Sequence, residues 1–507
     1  MEYAHSKKVL VIIGYALAAV GYLGLLAGVI GFAVINRDLI VNMPLLIGLA
    51  VLAFASGPVL YLLLRKRKSG KGATVAAYVL AGAAIVADAV FGILVVVLAL
   101  SPLIHSGPFV YILPIACGLA AIGAGLTLCA SSERAFTLST AVFLIALMAL
   151  GAGWIGLQPY GEYTNVASHT ALFKGGDEGY RSYRIPSLVC LQKDVLLARL
   201  GVETPGDVLL AIAEGRRNSS ADEGEIDLVL KTSFDSGKTW GQLQALLSYR
   251  DVKGKYGNPT PIFDSDTGRL HLIYTTSTEK SYFLEYTMFD MVGTLRANLT
   301  FEWSEPKQIV LPGDHIALMS GPNKGIRLSD GRLAFACYAN FKNRPSEGFV
   351  VWSNDHGETW ARGDTIAEGN ECDLLELFDG SLLYVLRDNA QCTAIHSDTT
   401  QRFFRSTDGG AHWTDWELDT PLRTPICQCC LNKTQDRIYI SYPDNSYTRS
   451  DLSIAYSTDA KHFDVVKLYD GPAGYSSTVT LSDGKICMLA ETGRVNYLSQ
   501  LTFIELA

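Results

Sequence analysis

Long apolar runs dominate residues 1–160. Five can be separated, and each reaches or exceeds the length of about 20 residues that a helix needs to cross a bilayer core. A cleaved signal peptide would instead be one short run followed by polar sequence. Residues 1–160 are therefore predicted to form an all-α bundle of about five transmembrane helices. The runs are Val9–Ile35, Pro44–Leu64, Ala73–Leu100, Phe109–Ala130 and Ala135–Gly156.

Basic residues flanking these runs predict the orientation of the bundle. Eight lie before the first run, after the second or after the fourth, whereas the two opposite loops contain only Arg37. Because Lys and Arg accumulate on cytoplasmic loops, the N-terminus is predicted to be cytoplasmic. Five crossings then put everything after Tyr160 outside, as in a multi-pass protein of the cell surface. The eight are Lys7, Lys8, Arg65, Lys66, Arg67, Lys68, Lys71 and Arg134.

One acidic residue, Asp88, lies deep in the third run. Acids in such runs often mark transport or proton paths. A single acid without a partner in the other runs favours helix–helix packing instead. A membrane transporter with an appended domain stays open as an alternative.

From about Asn165 the pattern changes to short β-rich runs broken by Gly, Asp and Asn. A turn motif, Ser-x-Asp-x-Gly-x-x-Trp, begins at residues 233, 353 and 406, and a copy without Gly and Trp begins at 457. The spacings of 120, 53 and 51 residues imply one unrecognised copy in the first gap, around Asp290–Trp303. About six units of 50–60 residues predict an all-β six-bladed β-propeller over residues 161–507.

Charge excludes one class of partner for this second part. Residues 1–160 contain nine Lys/Arg and four Asp/Glu, so the rest of the chain has 33 basic and 46 acidic residues and a charge of −13. No basic run is present to neutralise phosphates, so no nucleic-acid partner is expected.

Ten cysteines are present, and they cluster only at Cys427, Cys429 and Cys430. No second Cys or His pair stands at ligand spacing, so packed thiols are expected rather than a metal site. The sequence leaves any disulfide pairing open.

The residues suited to chemistry come in an ordered series of short motifs. Together they resemble the bacterial-type exo-α-sialidases (neuraminidases, glycoside hydrolase family 33) over Thr170–Ala507, and the turn motifs resemble the Asp boxes of that family. The motifs are Tyr183-Arg184-Ile185-Pro186, Ala213-Glu214-Gly215-Arg216, Asp222, Asn370-Glu371-Cys372, Leu386-Arg387, Tyr447-Thr448-Arg449-Ser450, Gly474-Tyr475-Ser476-Ser477 and Glu491.

The resemblance implies an arginine triad for the substrate carboxylate, formed by Arg184, Arg387 and Arg449. Sialic acid carries a carboxylate on its anomeric carbon, and guanidiniums bind such a group with paired hydrogen bonds. Glu491 matches the family residue that orients the first arginine. Arg216, rather than its neighbour Arg217, matches an accessory arginine beside the acid.

The resemblance also implies the reacting groups. A carboxylate nucleophile would meet the substrate's own carboxylate, and sialidases use a tyrosine instead. Tyr475 matches that nucleophile, and Glu371, rather than Glu376, matches the base that takes its proton. Asp222 would protonate the leaving oxygen and then activate water. Two inversions give net retention, and no metal or organic cofactor is required.

The expected activity is hydrolysis of terminal α-ketosidically linked sialic acids from glycoproteins, glycolipids and oligosaccharides. A trans-sialidase would use the same residues, and a non-catalytic sialoglycan-binding adhesin would keep the arginines without the chemistry. Sialylated glycoconjugates are the expected partners, and the sequence does not indicate an oligomeric state. Asn258-Pro259, Gly321-Pro322-Asn323 and Gly331-Arg332-Leu333 also match family stretches and are interpreted as scaffolding.

Overall fold

The structure is a computed structural model that describes residues 161–252, 254–278, 285–388, 401–445, 449–493 and 496–507. The chain divides into two units between Gln158 and Pro159, and all described residues belong to the second. The five predicted transmembrane runs and Asp88 lie outside the described residues. Within the described part, none of the helices combines the length and the hydropathy needed to span a bilayer.

The described residues form almost entirely β structure, with two short helices and one 3₁₀ turn. The helices are α1 (Lys193–Leu200) and α2 (Tyr249–Val252), and the 3₁₀ turn is Tyr497–Ser499. The strands are β1 (Val166–Lys174), β2 (Ser182–Leu191), β3 (Val208–Arg216), β4 (Ile226–Ser233), β5 (Gln244–Leu247), β6 (Gly254–Asp264), β7 (Arg269–Thr278), β8 (Thr287–Leu295), β9 (Phe301–Trp303), β10 (Lys307–Ile309), β11 (Ala317–Ser320), β12 (Ile326–Arg327), β13 (Leu333–Asn340), β14 (Glu347–Ser353), β15 (Ala361–Arg362), β16 (Ala367–Glu368), β17 (Cys372–Glu376), β18 (Leu382–Arg387), β19 (Gln401–Ser406), β20 (Thr414–Asp415), β21 (Cys430–Lys433), β22 (Ile438–Pro443), β23 (Ser450–Ser457), β24 (Asp464–Thr480), β25 (Ile486–Thr492) and β26 (Gln500–Leu506).

These strands pair in four sheets of nine, six, four and seven strands. In the nine-stranded sheet, β4 meets β6 through a single parallel residue pair, Ile226 with Lys255. In the seven-stranded sheet, the 17-residue strand β24 pairs with β23 along its first part and with β25 along its second. Division at these two places gives six antiparallel groups, the number that the repeat spacing predicts. Their closure into a ring stays a prediction.

The first strand of the described domain pairs with the last. β1 lies antiparallel to β26, with Thr170 opposite Phe503. The N-terminal strand therefore completes the group that β24, β25 and β26 begin, so the two ends of the domain stabilise one sheet.

Strand β3 is apolar along most of its length. In β3, Val208–Arg216, all nine residues are buried, which fits a strand covered on both faces. The apolar run gives way to Glu214, Gly215 and Arg216 at the strand's end. This change from aliphatic to charged residues marks the point where β3 reaches the candidate site.

The three complete turn motifs share one hydrogen-bonding pattern. In the first, Asp235 Oδ1 accepts from Ser233 Oγ at 2.8 Å and from Thr239 N at 2.8 Å. Gly237 has a φ of 88°, which a residue with a side chain rarely adopts. Equivalent bonds form around Asp355 and Asp408. These motifs therefore close hairpins and take no part in the site described below.

The unrecognised copy expected around 290–303 forms the β8–β9 hairpin. Its turn is closed by Asn298 Oδ1, which accepts from Thr300 Oγ1 at 2.6 Å, in place of an aspartate. Leu299, which follows Asn298, has a φ of 60°, close to the 61° of Ser236 after Asp235 and the 56° of His356 after Asp355. Asp290 instead lies buried in β8, 2.8 Å from His271 Nδ1. A hairpin therefore lies in this gap, but its hydrogen bonds differ from those of the complete motifs, so the unrecognised copy stays a prediction.

Candidate active site

Two strands that carry predicted site residues contain β-bulges. The pairing register shifts over Arg184–Ser187 in β2 and over Ala473–Ser476 in β24. Ile185, inside the first bulge, has a φ of 53°, a region that β-branched residues rarely adopt. Its N–H donates to Glu491 Oε1 at 3.2 Å, which helps to hold the strained turn. Bulges and strain of this kind redirect side chains at functional sites.

Glu491 connects these two strands. Its carboxylate accepts from Arg184 Nε at 2.9 Å and from Arg184 Nη2 at 3.2 Å, and it also accepts from Tyr475 N at 3.1 Å. Glu491 is fully buried, so its charge is compensated by the guanidinium and by backbone N–H groups. A side chain at Gly474 would collide with this carboxylate. One acid thus fixes both Arg184 and the backbone of Tyr475.

The phenol of Tyr475 lies between a carboxylate and a guanidinium. Its hydroxyl donates to Glu371 Oε1, and Arg387 Nη1 donates to the same hydroxyl at 3.2 Å and to Glu371 Oε2. Burial raises the pKa of Tyr475 well above its ordinary value, and the charge of Glu371 raises it further, whereas Arg387 and Arg449 lower it. The phenol is therefore neutral at pH 7, with a carboxylate in position to accept its proton.

Two aromatic rings lie between two of the arginines. Arg184 Cζ is 5.3 Å from the ring centre of Tyr475 and 5.7 Å from that of Tyr497. Arg449 Cζ is 5.1 Å and 5.3 Å from the same two rings. Arg449 also donates to Ile426 O from Nε at 3.0 Å and from Nη2 at 2.6 Å. The rings offset part of the repulsion between the two guanidiniums through cation–π contact.

Asp222 lies at the exposed edge of this cluster, with 78% of its side chain accessible. Its Oδ1 is 2.8 Å from Arg216 Nη1 and 3.4 Å from Arg184 Nη1. Desolvation raises the pKa of Asp222, but the charges of Arg216 and Arg184 outweigh it and hold that pKa below its usual range. Arg216 is itself buried and bound by Glu214 Oε2 at 2.6 Å. The carboxylate of Asp222 therefore faces solvent, while the buried guanidiniums of Arg216 and Arg184 compensate its charge.

This arrangement suits one kind of chemistry. Arg184, Arg387 and Arg449 all lie around one phenol, so an anionic group bound by them would be held beside a potential nucleophile. The exposed carboxylate of Asp222 adds a group that can transfer a proton to or from a bound molecule.

One group of possible metal ligands exists among the described residues, and it lies apart from this cluster. Asp264, Asp266 and His356 have ligand atoms near one another. Asp264 Oδ2 already accepts from Thr267 Oγ1 at 2.6 Å and lies 2.9 Å from His356 Nδ1. Asp266 Oδ2 is bound by Arg327 Nη2 at 2.6 Å. The three residues therefore already have partners in a turn and in an ion pair, which explains why they lie close together.

A family model described as "BNR repeat-like domain" matches residues 207–488, more than half of the chain. The chain belongs to the BNR repeat-like family. The matched residues begin just before β3 and end within β25. Arg184 and Glu491 of this BNR repeat-like chain lie outside the matched range.

Curated relatives of this BNR repeat-like chain are sialidases. The sialidase of Bacteroides fragilis is 25% identical over 56% of this chain and 54% of its own length. The sialidase of Micromonospora viridifaciens is 24% identical over 63% of this chain and 51% of its own length. The chain thus spans about half the length of these curated relatives.

Solved structures show that the BNR repeat-like chain has a sialidase-like all-β fold. A Hadza microbial sialidase superimposes with a TM-score of 0.57 at 24% identity, covering 67% of this chain and 68% of its own. The intramolecular trans-sialidase from Ruminococcus gnavus superimposes with a TM-score of 0.53 at 16% identity, covering 68% of this chain and 98% of its own.

The structure brings the eight predicted site residues of the BNR repeat-like chain into one connected set of contacts. Their chemical roles stay predictions. Arg217 and Glu376, the alternatives to Arg216 and Glu371, have other partners. Arg217 Nη2 donates to Asp227 Oδ2 at 2.5 Å, and Glu376 accepts from Ser329 Oγ at 2.6 Å. The eight are Arg184, Arg216, Asp222, Glu371, Arg387, Arg449, Tyr475 and Glu491.

Several contacting residues escaped sequence reasoning. Tyr497 contacts both Arg184 and Arg449. The other two are Glu214, which binds Arg216, and Ile426, which binds Arg449. Glu214 stands in the quoted Ala-Glu-Gly-Arg motif, and the alternation of a strand places it on the same face as Arg216 two positions later. Tyr497 belongs to no repeated motif, and Ile426 binds through its backbone carbonyl oxygen, which a residue of any type could supply. Neither could therefore be recognised as a site residue from the sequence.

Asn323 joins the strands beneath the site. Its Oδ1 accepts from Ser477 Oγ at 2.7 Å, its Nδ2 donates to Asp373 Oδ2 at 2.9 Å, and its backbone oxygen accepts from Ser187 Oγ. Ser477 and Asp373 each lie two residues after a predicted site residue, Tyr475 and Glu371. The Gly321-Pro322-Asn323 stretch, interpreted as scaffolding, thus links the segment that carries Tyr475 to the segment that carries Glu371.

Proposed function

We propose that this chain is an exo-α-sialidase that hydrolyses terminal α-linked sialic acids with retention of configuration. The observation that supports the proposal most strongly is the bond from the Tyr475 hydroxyl to Glu371, with Arg387 bound to both. The curated relatives are named sialidases, which agrees with it.

Substrate binding begins with the carboxylate of the sugar. Arg184, Arg387 and Arg449 offer several N–H donors in a buried setting, where charge-assisted hydrogen bonds are strong. Glu491 holds Arg184 in a fixed orientation, so little side-chain freedom is lost when the substrate binds.

The first chemical step forms a bond between the Tyr475 oxygen and the anomeric carbon. Glu371 takes the phenolic proton as that bond forms, the glycosidic C–O bond breaks, and Asp222 gives its proton to the leaving oxygen. In the second step Asp222 takes a proton from water and the water oxygen bonds to the anomeric carbon. The bond between that carbon and the Tyr475 oxygen breaks, and the proton on Glu371 returns to Tyr475. Each step inverts the centre, so the product retains the configuration.

The charge near Asp222 changes when substrate binds. In the free protein the positive charges of Arg216 and Arg184 hold its pKa below the usual range, against desolvation. A bound carboxylate offsets part of the charge of Arg184, so it raises the pKa of Asp222 toward a value suited to an acid. The substrate thereby helps to prepare its own proton donor.

The test is release of a fluorescent alcohol from a fluorogenic sialoside by the full chain. Tyr475→Phe is expected to remove activity while the fold survives. Asp222→Ala is expected to lower turnover severely even with this activated leaving group, because it also removes the base of the second step. Glu371→Gln is expected to do the same, and Glu376→Gln is its matched control, because Glu376 binds a surface turn. Wild-type turnover in both Tyr475→Phe and Asp222→Ala would overturn the assignment, and an inactive wild type that binds sialosides would indicate an adhesin.

Transfer to a sugar acceptor is a second candidate, because it would use the same residues as hydrolysis. Hydrolysis and transfer share the first step and differ in whether water or another hydroxyl attacks the second time. Sialyl transfer to added lactose, measured against release to water, distinguishes them. Release to water in excess of transfer is the expected result.

The location of the enzyme is also proposed. Residues 1–160 anchor the chain with the N-terminus inside, and residues 161–507 form a closed six-bladed propeller outside. Intact cells that produce the chain are then expected to hydrolyse a membrane-impermeant sialoside. Hydrolysis that requires cell lysis would contradict this topology.

A further inference from the structure

Asp222 does not lie on a strand. It belongs to the segment of turns and bends between β3 and β4, and its side chain is mostly exposed. A proton donor on such a segment needs a support for its backbone, because an error of about 1 Å in position can cost on the order of 100-fold in rate.

Lys255 supplies that support from the neighbouring strand β6. Its Nζ donates to the backbone oxygen of Asp222 at 3.0 Å and lies 2.5 Å from Glu223 Oε1. The ammonium also lies 4.8 Å from the ring centre of Tyr286. One side chain thus binds the backbone of the acid itself and the side chain of the next residue.

The burial of Lys255 makes these contacts persistent. Only 8% of its side chain is accessible, and a buried ammonium is costly unless its donors are satisfied. The carbonyl of Asp222 and the carboxylate of Glu223 provide that satisfaction. Movement of the segment away from β6 would leave the ammonium without them, so the segment is held against the strand.

The same contacts argue against a direct role in substrate binding. The Lys255 ammonium is directed to Asp222 O and Glu223, whereas the predicted carboxylate site lies around Tyr475. An effect of Lys255 on the reaction is therefore expected to pass through the position of Asp222.

We infer that Lys255 is the positioning residue of the acid Asp222, an inference that rests on the proposed function. Its contribution depends on how much the leaving group needs a proton. A sugar alkoxide leaves poorly without protonation, whereas 4-nitrophenolate leaves readily. Lys255 therefore matters for natural glycosides and little for activated aryl sialosides.

The experiment compares sialyllactose and a 4-nitrophenyl sialoside as substrates of the full chain. Lys255→Met keeps the apolar stem and removes the ammonium. We expect kcat/KM for sialyllactose to fall by about 10–100-fold and that for the aryl sialoside by less than about 3-fold. Lys307→Met is the control, because Lys307 is an exposed lysine, paired with Glu358, on β10, and it should change neither value.

A double variant shows whether Lys255 acts through Asp222. Asp222→Ala is assayed at high enzyme concentration, where its residual hydrolysis of sialyllactose is followed. In that background, Lys255→Met is expected to lower the residual kcat/KM by less than about 3-fold further, because the group that Lys255 positions is gone. Glu223→Gln is a milder variant at an exposed site, and it should give the same leaving-group pattern with a smaller loss even if Lys255→Met folds poorly.

Provided that the wild type is active, three results would each overturn the inference. These are an equal loss of kcat/KM for both substrates in Lys255→Met, no loss for sialyllactose, and losses that multiply independently in the double variant. A wild type that releases sialic acid from neither substrate would overturn the proposed function, and the inference with it. The two failures are thus told apart by the wild-type assay.

Discussion

Replacement of Glu491 by Gln tests how the site is held together. Glu491 is fully buried and accepts two hydrogen bonds from Arg184, one from Ile185 N and one from Tyr475 N. Gln keeps the shape but removes the charge and turns an NH₂ group toward a donor. Arg184, only 7% exposed, is then left without its main counter-charge.

The expected loss follows from that burial. Breaking a buried ion pair by neutralising one partner costs about 3–5 kcal/mol, since the remaining charge stays desolvated. For a domain of this size that lowers the melting temperature by roughly 4–7 °C. Affinity for a dehydrated sialic-acid analogue should also fall by about 10–100-fold, because Arg184 loses the bonds that orient it.

The assay is thermal unfolding of the full chain followed by near-ultraviolet circular dichroism, together with titration of the analogue. The matched control is Glu302→Gln. Glu302 pairs with Arg296 on the surface, where the two side chains are 64% and 55% exposed, and such pairs contribute about 0–1 kcal/mol. If Glu491→Gln lowers the melting temperature no more than this control does, the reasoning about the buried pair is refuted.

Three further predictions concern other parts of the site. Asn323→Ala should lower the free energy of unfolding in urea by about 2–4 kcal/mol, because it removes one hydrogen bond from the buried carboxylate of Asp373 and the acceptor of the buried Ser477 hydroxyl. A change under about 0.5 kcal/mol would contradict that. Binding of the analogue should take up protons below neutral pH, since a raised pKa of Asp222 means that the complex holds more protons than the free protein. Calorimetry in two buffers measures this uptake, which should vanish in Asp222→Ala. Arg216→Met should impair hydrolysis, whereas Arg217→Met should mainly reduce stability, because Arg217 neutralises the buried Asp227; equal kinetic losses would count against the chosen register.

Much of the architecture is readable from local signals. Turn motifs at Asp235, Asp355 and Asp408 repeat because each closes a hairpin through contacts within eight consecutive residues. Where a hairpin turn is closed by other residues, as at Asn298, the sequence carries no such signal. Ring closure depends on contacts between whole sheets, and no short stretch of sequence encodes it.

The site is readable to the extent that family motifs mark it. Arg184, Glu371 and Tyr475 stand in recognisable stretches. The choice of Glu371 over Glu376 is based on spacing, and in the structure it is Glu371 that contacts Tyr475, whereas Glu376 binds Ser329. Lys255 stands in no such stretch, because it acts on a backbone oxygen and on a side chain about 30 residues away. Asn323 does stand in a family stretch, but its partners are distant in sequence, so the stretch is interpreted only as scaffolding. The positive φ of Ile185 likewise cannot be predicted from the sequence, because it follows from the bulge in β2.

A structure of the chain with a bound dehydrated sialic-acid analogue tests the central claim most directly. The account predicts that the analogue's carboxylate lies within about 2.7–3.2 Å of the guanidiniums of Arg184, Arg387 and Arg449. It also predicts that the Tyr475 oxygen faces the anomeric carbon. A carboxylate bound away from these three arginines, or a Tyr475 oxygen remote from that carbon, would contradict the account.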